Sequence, residues 1–209
     1  MKRSITATGL LSLVAMILVG ASSTGSALAG GGPNSVFLWT GPLPGLVLVL
    51  SDNPQVLALS PELEFVCKHF KAHGIFSNGK AMTTKEITLA GTYTSCEAPA
   101  IEAPFEISKA EYLLSADGSL AVINKPIVIT IPALGCSLKI NNGGANNDLR
   151  LVLYLNRPGD VLAHVEISHL TSLGSGGFCG EAGVEKTEAT LRGLLLISVD
   201  GGSIQWDPK

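Results

Sequence analysis

Apolar and polar residues alternate in short runs along most of this chain, and turn residues break the runs every 8–12 positions. Phe65-Val66-Cys67-Lys68-His69-Phe70 and Ile87 to Cys96 read as two strands around Ser77-Asn78-Gly79-Lys80. Asn-Gly supplies the positive φ angles of a tight hairpin turn. Val36 to Trp39 is a short strand, ended by Gly41-Pro42-Leu43-Pro44-Gly45. Leu46 to Leu50 is continuously apolar, as in a strand buried on both faces. Ser51-Asp52-Asn53-Pro54 then reads as a turn, making a hairpin with Val56 to Leu59.

Further on, Phe105 to Leu114 and Leu120 to Ile123 flank Ala116-Asp117-Gly118-Ser119, again a hairpin pattern. Pro126 opens the β-branched run Ile127 to Ile131, and Cys136 to Ile140 is extended. Leu149, Leu151, Leu153 and Leu155 share one face of a strand, with Arg150 and Tyr154 on the other. From Val161 to Leu170, Val165 and Ile167 point inward, and His164 and Glu166 outward. Thr171 to Gly180 reads as a Gly/Ser-rich loop, Glu185 to Ser198 as a long strand bent at Gly193, and Ser203 to Trp206 as the last strand.

No stretch has the 3.6-residue period of an amphipathic helix, and no long crossover would build βαβ units. The pattern predicts an all-β, antiparallel β-sandwich, with two small β-subdomains or a barrel as alternatives. Residues 30–209 would form one domain, with the alternative of a subdivision near Pro99–Pro104.

The N-terminus changes the compartment. Met1-Lys2-Arg3 is basic, and the apolar run Leu10 to Val19 falls short of the roughly 20 residues that span a bilayer. Small residues and Ala27-Leu28-Ala29 follow. This order predicts a removable signal peptide over residues 1–29 and a secreted, extracellular or envelope protein, with no transmembrane segment left after cleavage.

The leader takes two of the 14 Lys and Arg residues and none of the 17 Asp and Glu, so the mature chain carries a formal charge of −5. A mildly acidic protein is a poor partner for nucleic acid, which needs clustered Lys and Arg. The same net charge argues against a purely electrostatic dock on anionic lipid.

Four cysteines follow the leader: Cys67, Cys96, Cys136 and Cys179. In an exported chain they predict two disulfides, for which three connectivities exist. The hairpin places Cys67 opposite Cys96, with Ala81 and Met82 midway between them. The midpoint of the other pair falls at Arg157-Pro158, inside the turn Asn156 to Gly159. Cys67–Cys96 and Cys136–Cys179 are therefore expected. No C-x-x-C spacing favours zinc.

Candidate chemistry is sparse. Cys67, His69 and His73 could share a strand face, but a disulfide at Cys67 leaves two histidines about 13 Å apart, too far for one ion. His164 and His169, five apart, should face opposite sides of a strand. Ser175, in Gly174-Ser175-Gly176-Gly177, lacks the G-x-S-x-G context of a nucleophile elbow. Glu62 with Glu64, and Glu102 with Glu106, are carboxylate pairs, yet Trp39 and Trp206 are the only indoles a sugar cleft could use. The loop Asn141 to Asp148 does not match a calcium loop. No catalytic residue, metal ligand or cofactor is expected.

Phe65-Val66-Cys67, Gly91-Thr92-Tyr93-Thr94-Ser95-Cys96, Ile131-Pro132-Ala133-Leu134-Gly135-Cys136 and Cys179-Gly180, behind a signal peptide, resemble a loose group of uncharacterised secreted bacterial β-proteins with paired cysteines. The resemblance implies export and paired cysteines, and brings no activity or site residue with it. The expected role is a secreted, non-enzymatic module that binds an envelope or extracellular ligand or serves structurally. The alternatives are a hydrolase with a loop-built site using His69, His73, His164 or His169 as a base, and an apolar-ligand carrier with a large dry cavity.

Overall fold

In the computed structural model, residues 31–41, 44–51, 53–60, 63–76, 83–141, 150–176, 179 and 184–209 are described. The strands are β1 (Val36–Thr40), β2 (Gly45–Ser51), β3 (Gln55–Ser60), β4 (Leu63–Phe76), β5 (Thr83–Thr84), β6 (Glu86–Glu97), β7 (Glu106–Ile107) and β8 (Ala110–Ser115). They continue as β9 (Leu120–Ile123), β10 (Ile127–Ile131), β11 (Cys136–Asn141), β12 (Arg150–Arg157), β13 (Asp160–Ser175), β14 (Glu185–Val199) and β15 (Ser203–Asp207). A 3-10 turn, Pro132–Leu134, starts where the proline stops β10. The fold is all-β and antiparallel.

Twelve strands form one sheet in the order β7-β10-β11-β13-β14-β2-β4-β6-β8-β9, with β12 added to β13 and β3 lying between β14 and β4. β15, β1 and β5 make a second, small sheet. The large sheet folds over in a sandwich-like way, and its far parts meet. Val152 N–H donates to Gly118 O, joining β12 to the β8–β9 turn. Tyr154 Oη donates to Ser115 O and Trp206 Nε1 to Ala116 O, so the Asp117-Gly118 turn is held from inside the core. The Asn156 amide closes a two-bond clamp on the backbone of Trp206.

Strands on either side of Pro99–Pro104 pair within the same sheet, β6 with β8. A contiguous core cluster runs from Phe37 to Trp206. Both tryptophans belong to it, and Trp39 stacks on Phe76 at 4.8 Å.

Both disulfides have the expected connectivity, Cys67–Cys96 and Cys136–Cys179. Cys67 and Cys96 face each other directly across β4 and β6. The turn at Asn78-Gly79 lies outside the described residues, as does most of the loop after Asn141.

Several sequence expectations are corrected. Leu46–Leu50 and Val56–Leu59 do not form a hairpin. β2 and β3 run collinearly, both pairing with β4 on one side and β14 on the other. The polar residues between them replace the missing ladder. Asn53 Oδ1 accepts from Leu194 N, and Gln55 Nε2 donates to Leu194 O. Gln55 is buried, and its amide fills the space that a side chain at Gly193 would need, since a Cβ there would lie 2.2 Å from Gln55 Nε2. Gly193→Ala is therefore expected to expel that amide and orphan the Leu194 carbonyl. A loss of about 2 kcal/mol should appear in denaturant unfolding.

The segment from Thr171 to Ser175 is not a loop. It continues β13 and pairs with β11, Leu138 opposite Gly174 and Ser137 opposite Ser175. In β12 the inward residues are Val152 and Tyr154, while Leu153 and Leu155 turn outward. Phe105 to Leu114 is not one strand but two, β7 and β8.

Candidate binding surface

Strands β4, β2, β14, β13 and β12 are neighbours in the sheet, and on each the inward residues are apolar: Phe70 and Ala72, Val47 and Val49, Leu195 and Ile197, Ala163 and Val165, Val152 and Tyr154. A sheet with one face in the core normally carries polar residues on the other. Here the outward positions are mostly leucine. One row crosses four strands through direct partners, Leu50–Leu196–Leu162–Leu155. Beside it, Leu194 and Leu153 flank His164, and Leu46 opposes Ile75. Ile75 is 59% exposed, Leu46 43% and Leu50 39%. Leu48, Leu153, Leu155, Leu194 and Leu196 are half-buried and Leu162 is buried, each sheltered by its neighbours in the rows.

Lys71 stands opposite Leu50, and His73 opposite Leu48. The next strand, β6, adds neutral groups, with Lys71 opposite Thr92 and His73 opposite Ala90. Carboxylates border the rows. In the strand register Asp160 stands opposite Arg157 beside the β12–β13 turn, and Glu166 opposite Arg192, whose guanidinium reaches the Glu64 carboxylate at 3.1 Å; exposed Asp200 donates its backbone N–H to the Leu46 carbonyl.

This face is not expected from the sequence, where the continuous apolar run Leu46–Leu50 reads as buried on both sides. The signal was present in the alternation itself. Leu46, Leu48 and Leu50 interleave with Val47 and Val49, and Leu194 and Leu196 with Leu195 and Ile197, so both phases are apolar.

Other candidates do not assemble. Cys67, His69 and His73 do not share a face, contrary to the strand-period expectation. Inward alternation runs through Phe65 and Cys67, then switches to Phe70, Ala72 and Phe76, leaving His69 and His73 exposed. The switch coincides with Ser95 on β6, whose φ is 54°. A similar shift corrects His164 and His169. The register slips between Ile167 and Leu170, His169 takes φ 57°, and both imidazoles turn outward. Among the described residues, no histidine makes a hydrogen bond or ion pair with a serine or carboxylate, and no group of three His, Cys, Asp or Glu could hold a metal.

Ser175 Oγ lies 3.0 Å from Ser137 Oγ on an exposed strand end. Glu102 and Glu106 are exposed, and Glu62 lies outside the described residues. Among the described residues, no helix is long and apolar enough to cross a membrane.

A cavity of about 20 Å³ lies among Gln55, Phe70, Leu89, Tyr93, Tyr112 and Leu195. That is space on the scale of one water molecule. It gives no room for an apolar ligand. The hydroxyls of Tyr93 and Tyr112 hydrogen-bond to each other beside it, and burial pushes both phenols above their usual range.

No protein family, curated protein or solved structure matches this chain.

Proposed function

We propose that this chain is an exported, non-enzymatic β-sandwich protein that works by binding, through the leucine face of β2, β4, β12, β13 and β14. The observation that carries this reading is the row Leu50–Leu196–Leu162–Leu155 with exposed Leu46 and Ile75 beside it. These strands already bury their other face in the core, so the leucines add nothing to that packing. An apolar sheet face left without a covering layer is a place for a partner to bind. Export is supported by the leader pattern and by two disulfides, which persist in oxidising compartments.

The test is fractionation of a bacterial host making the full chain. The chain is expected to leave the cytoplasm, lose residues 1–29 and partition with the envelope. Leu46→Glu/Ile75→Glu should be exported and processed alike, since exposed substitutions shift stability by only about 0.5 kcal/mol each. The variant should then be released into the soluble fraction. A full-length cytoplasmic protein would overturn export, and unchanged partitioning would overturn the leucine face.

A further inference from the structure

We infer that the partner of the leucine face is a lipid surface bearing anionic headgroups. This inference rests on the reading of that face as the binding surface.

Three observations separate a lipid from a protein partner. The first is composition. Residues that fix protein partners are enriched in Trp, Tyr and Arg. Both tryptophans and all three tyrosines of this chain are in the core. The rows themselves offer leucine and isoleucine, which supply apolar area without directional bonds. Apolar area together with positive charge is what an interfacial lipid contact requires.

The second is size. Five strands about 4.8 Å apart, and four residue steps of about 3.3 Å, give a footprint of roughly 250 Å². A stable dimer of standard size needs about 800 Å² from each partner. The face is too small to hold a second copy by itself, and a bilayer sets no such minimum.

The third is charge. The fixed charge within the rows is Lys71, with His73 beside it on the same strand face. Of the carboxylates, Asp160 stands at the start of β13 opposite Arg157, Glu166 within β13 opposite Arg192, and Asp200 just past the end of β14 beside Leu46. The chain as a whole is acidic. Its other surfaces are therefore repelled by anionic headgroups, whereas this face combines leucines for the acyl boundary with an ammonium for the phosphates. The net charge then orients the molecule without supplying its affinity.

The experiment uses the purified mature protein with both disulfides intact. It measures co-sedimentation with vesicles of phosphatidylcholine alone and of phosphatidylcholine mixed with phosphatidylglycerol. The expected result is partitioning about fivefold stronger on the phosphatidylglycerol vesicles, the about 1 kcal/mol that one lysine contributes at an anionic surface. Leu46→Ser/Ile75→Ser should lower binding to both vesicles by about tenfold, through apolar area alone. Lys71→Glu should abolish the preference for phosphatidylglycerol and leave the weaker binding to phosphatidylcholine. Unfolding midpoints of each variant show that the fold is kept.

Equal binding to both vesicles, or none, overturns the inference. So does a dimer in sedimentation velocity that the same substitutions dissociate. If the purified protein ignores vesicles while Leu46→Glu/Ile75→Glu still frees the chain from the envelope in cells, the lipid inference fails and the binding face stands. If that substitution changes neither, the binding face fails as well.

Discussion

Reducing both disulfides is expected to remove about 7.5 kcal/mol of stability, on the scale of the 5–15 kcal/mol that holds a typical domain folded. The bridges span sequence separations of 29 and 43 residues. In the chain-entropy account these loops are worth about 3.5 and about 4 kcal/mol, chiefly by restricting the unfolded chain. They do not overlap in sequence, so their effects should add. Cys67→Ala/Cys96→Ala and Cys136→Ala/Cys179→Ala should each lower the unfolding free energy by those amounts in denaturant titrations. Alanine is the right replacement, because Cys67 and Cys136 are buried and serine would leave a hydroxyl without a partner. The dependence on denaturant should steepen as well, since the uncrosslinked chain exposes more surface on unfolding. A reduced protein with an unchanged midpoint would show that the bridges add nothing to the sheet.

The Cys67–Cys96 bridge has a local role besides its entropic one. It joins β4 to β6 where both strands change phase, next to Lys68 and the positive φ of Ser95. Inward alternation runs through Phe65 and Cys67 on one side of this point and through Phe70, Ala72 and Phe76 on the other. A slip of one residue would turn either set out of the core. The bridge holds the two strands in register at the point where the phase changes.

That phase change marks the limit of what the residue pattern reveals. Turns were legible where the chemistry is local: Asp117-Gly118 joins β8 to β9, and Pro158-Gly159 joins β12 to β13. The cysteine pairing was legible because each pair brackets a turn. The faces were not legible wherever neighbours impose the conformation. Ser95 and His169 carry positive φ although neither residue type calls for it, so a two-residue period read across them puts the histidines on the wrong sides. Asp52-Asn53-Pro54 has the composition of a turn. Yet Asn53 and Gln55 spend their side chains on Leu194 and carry the sheet past the interruption. Gly174 and Ser175 have loop composition but are paired by β11. The leucine face was hidden for a different reason. Alternation locates a surface by its polar residues, and β2 and β14 have apolar residues in both phases.

All three tyrosines of the chain are expected to ionise together, and only as the protein unfolds. Tyr93, Tyr112 and Tyr154 are buried, and desolvation raises each phenol above its usual value. For Tyr93 the hydrogen bond from its neighbour offsets part of that rise. For Tyr112 the charge that Tyr93 would carry adds to it, and for Tyr154 the nearby Asp117 carboxylate does so. The sign follows from the direction of the shift. A phenol raised in the folded state keeps its proton after the unfolded phenol, near 10, has lost one. Stability is therefore complete below pH of about 10 and falls as the pH rises beyond it. The slope approaches 1.4 kcal/mol per pH unit for each tyrosine, or about 4 for the three. A domain of ordinary stability would unfold within roughly two to three pH units above that point. Tyrosinate absorbance should thus rise in one cooperative step, coincident with loss of the near-ultraviolet circular dichroism of the packed aromatic core. Tyr93→Phe/Tyr112→Phe should reduce the slope to that of Tyr154 alone. Tyr93→Phe by itself should cost about 1–3 kcal/mol at neutral pH, because the Tyr112 hydroxyl then loses its buried partner. Tyrosinate appearing near pH 10 in a protein that is still folded would show that water reaches these phenols and that the interior is looser than the 20 Å³ cavity implies.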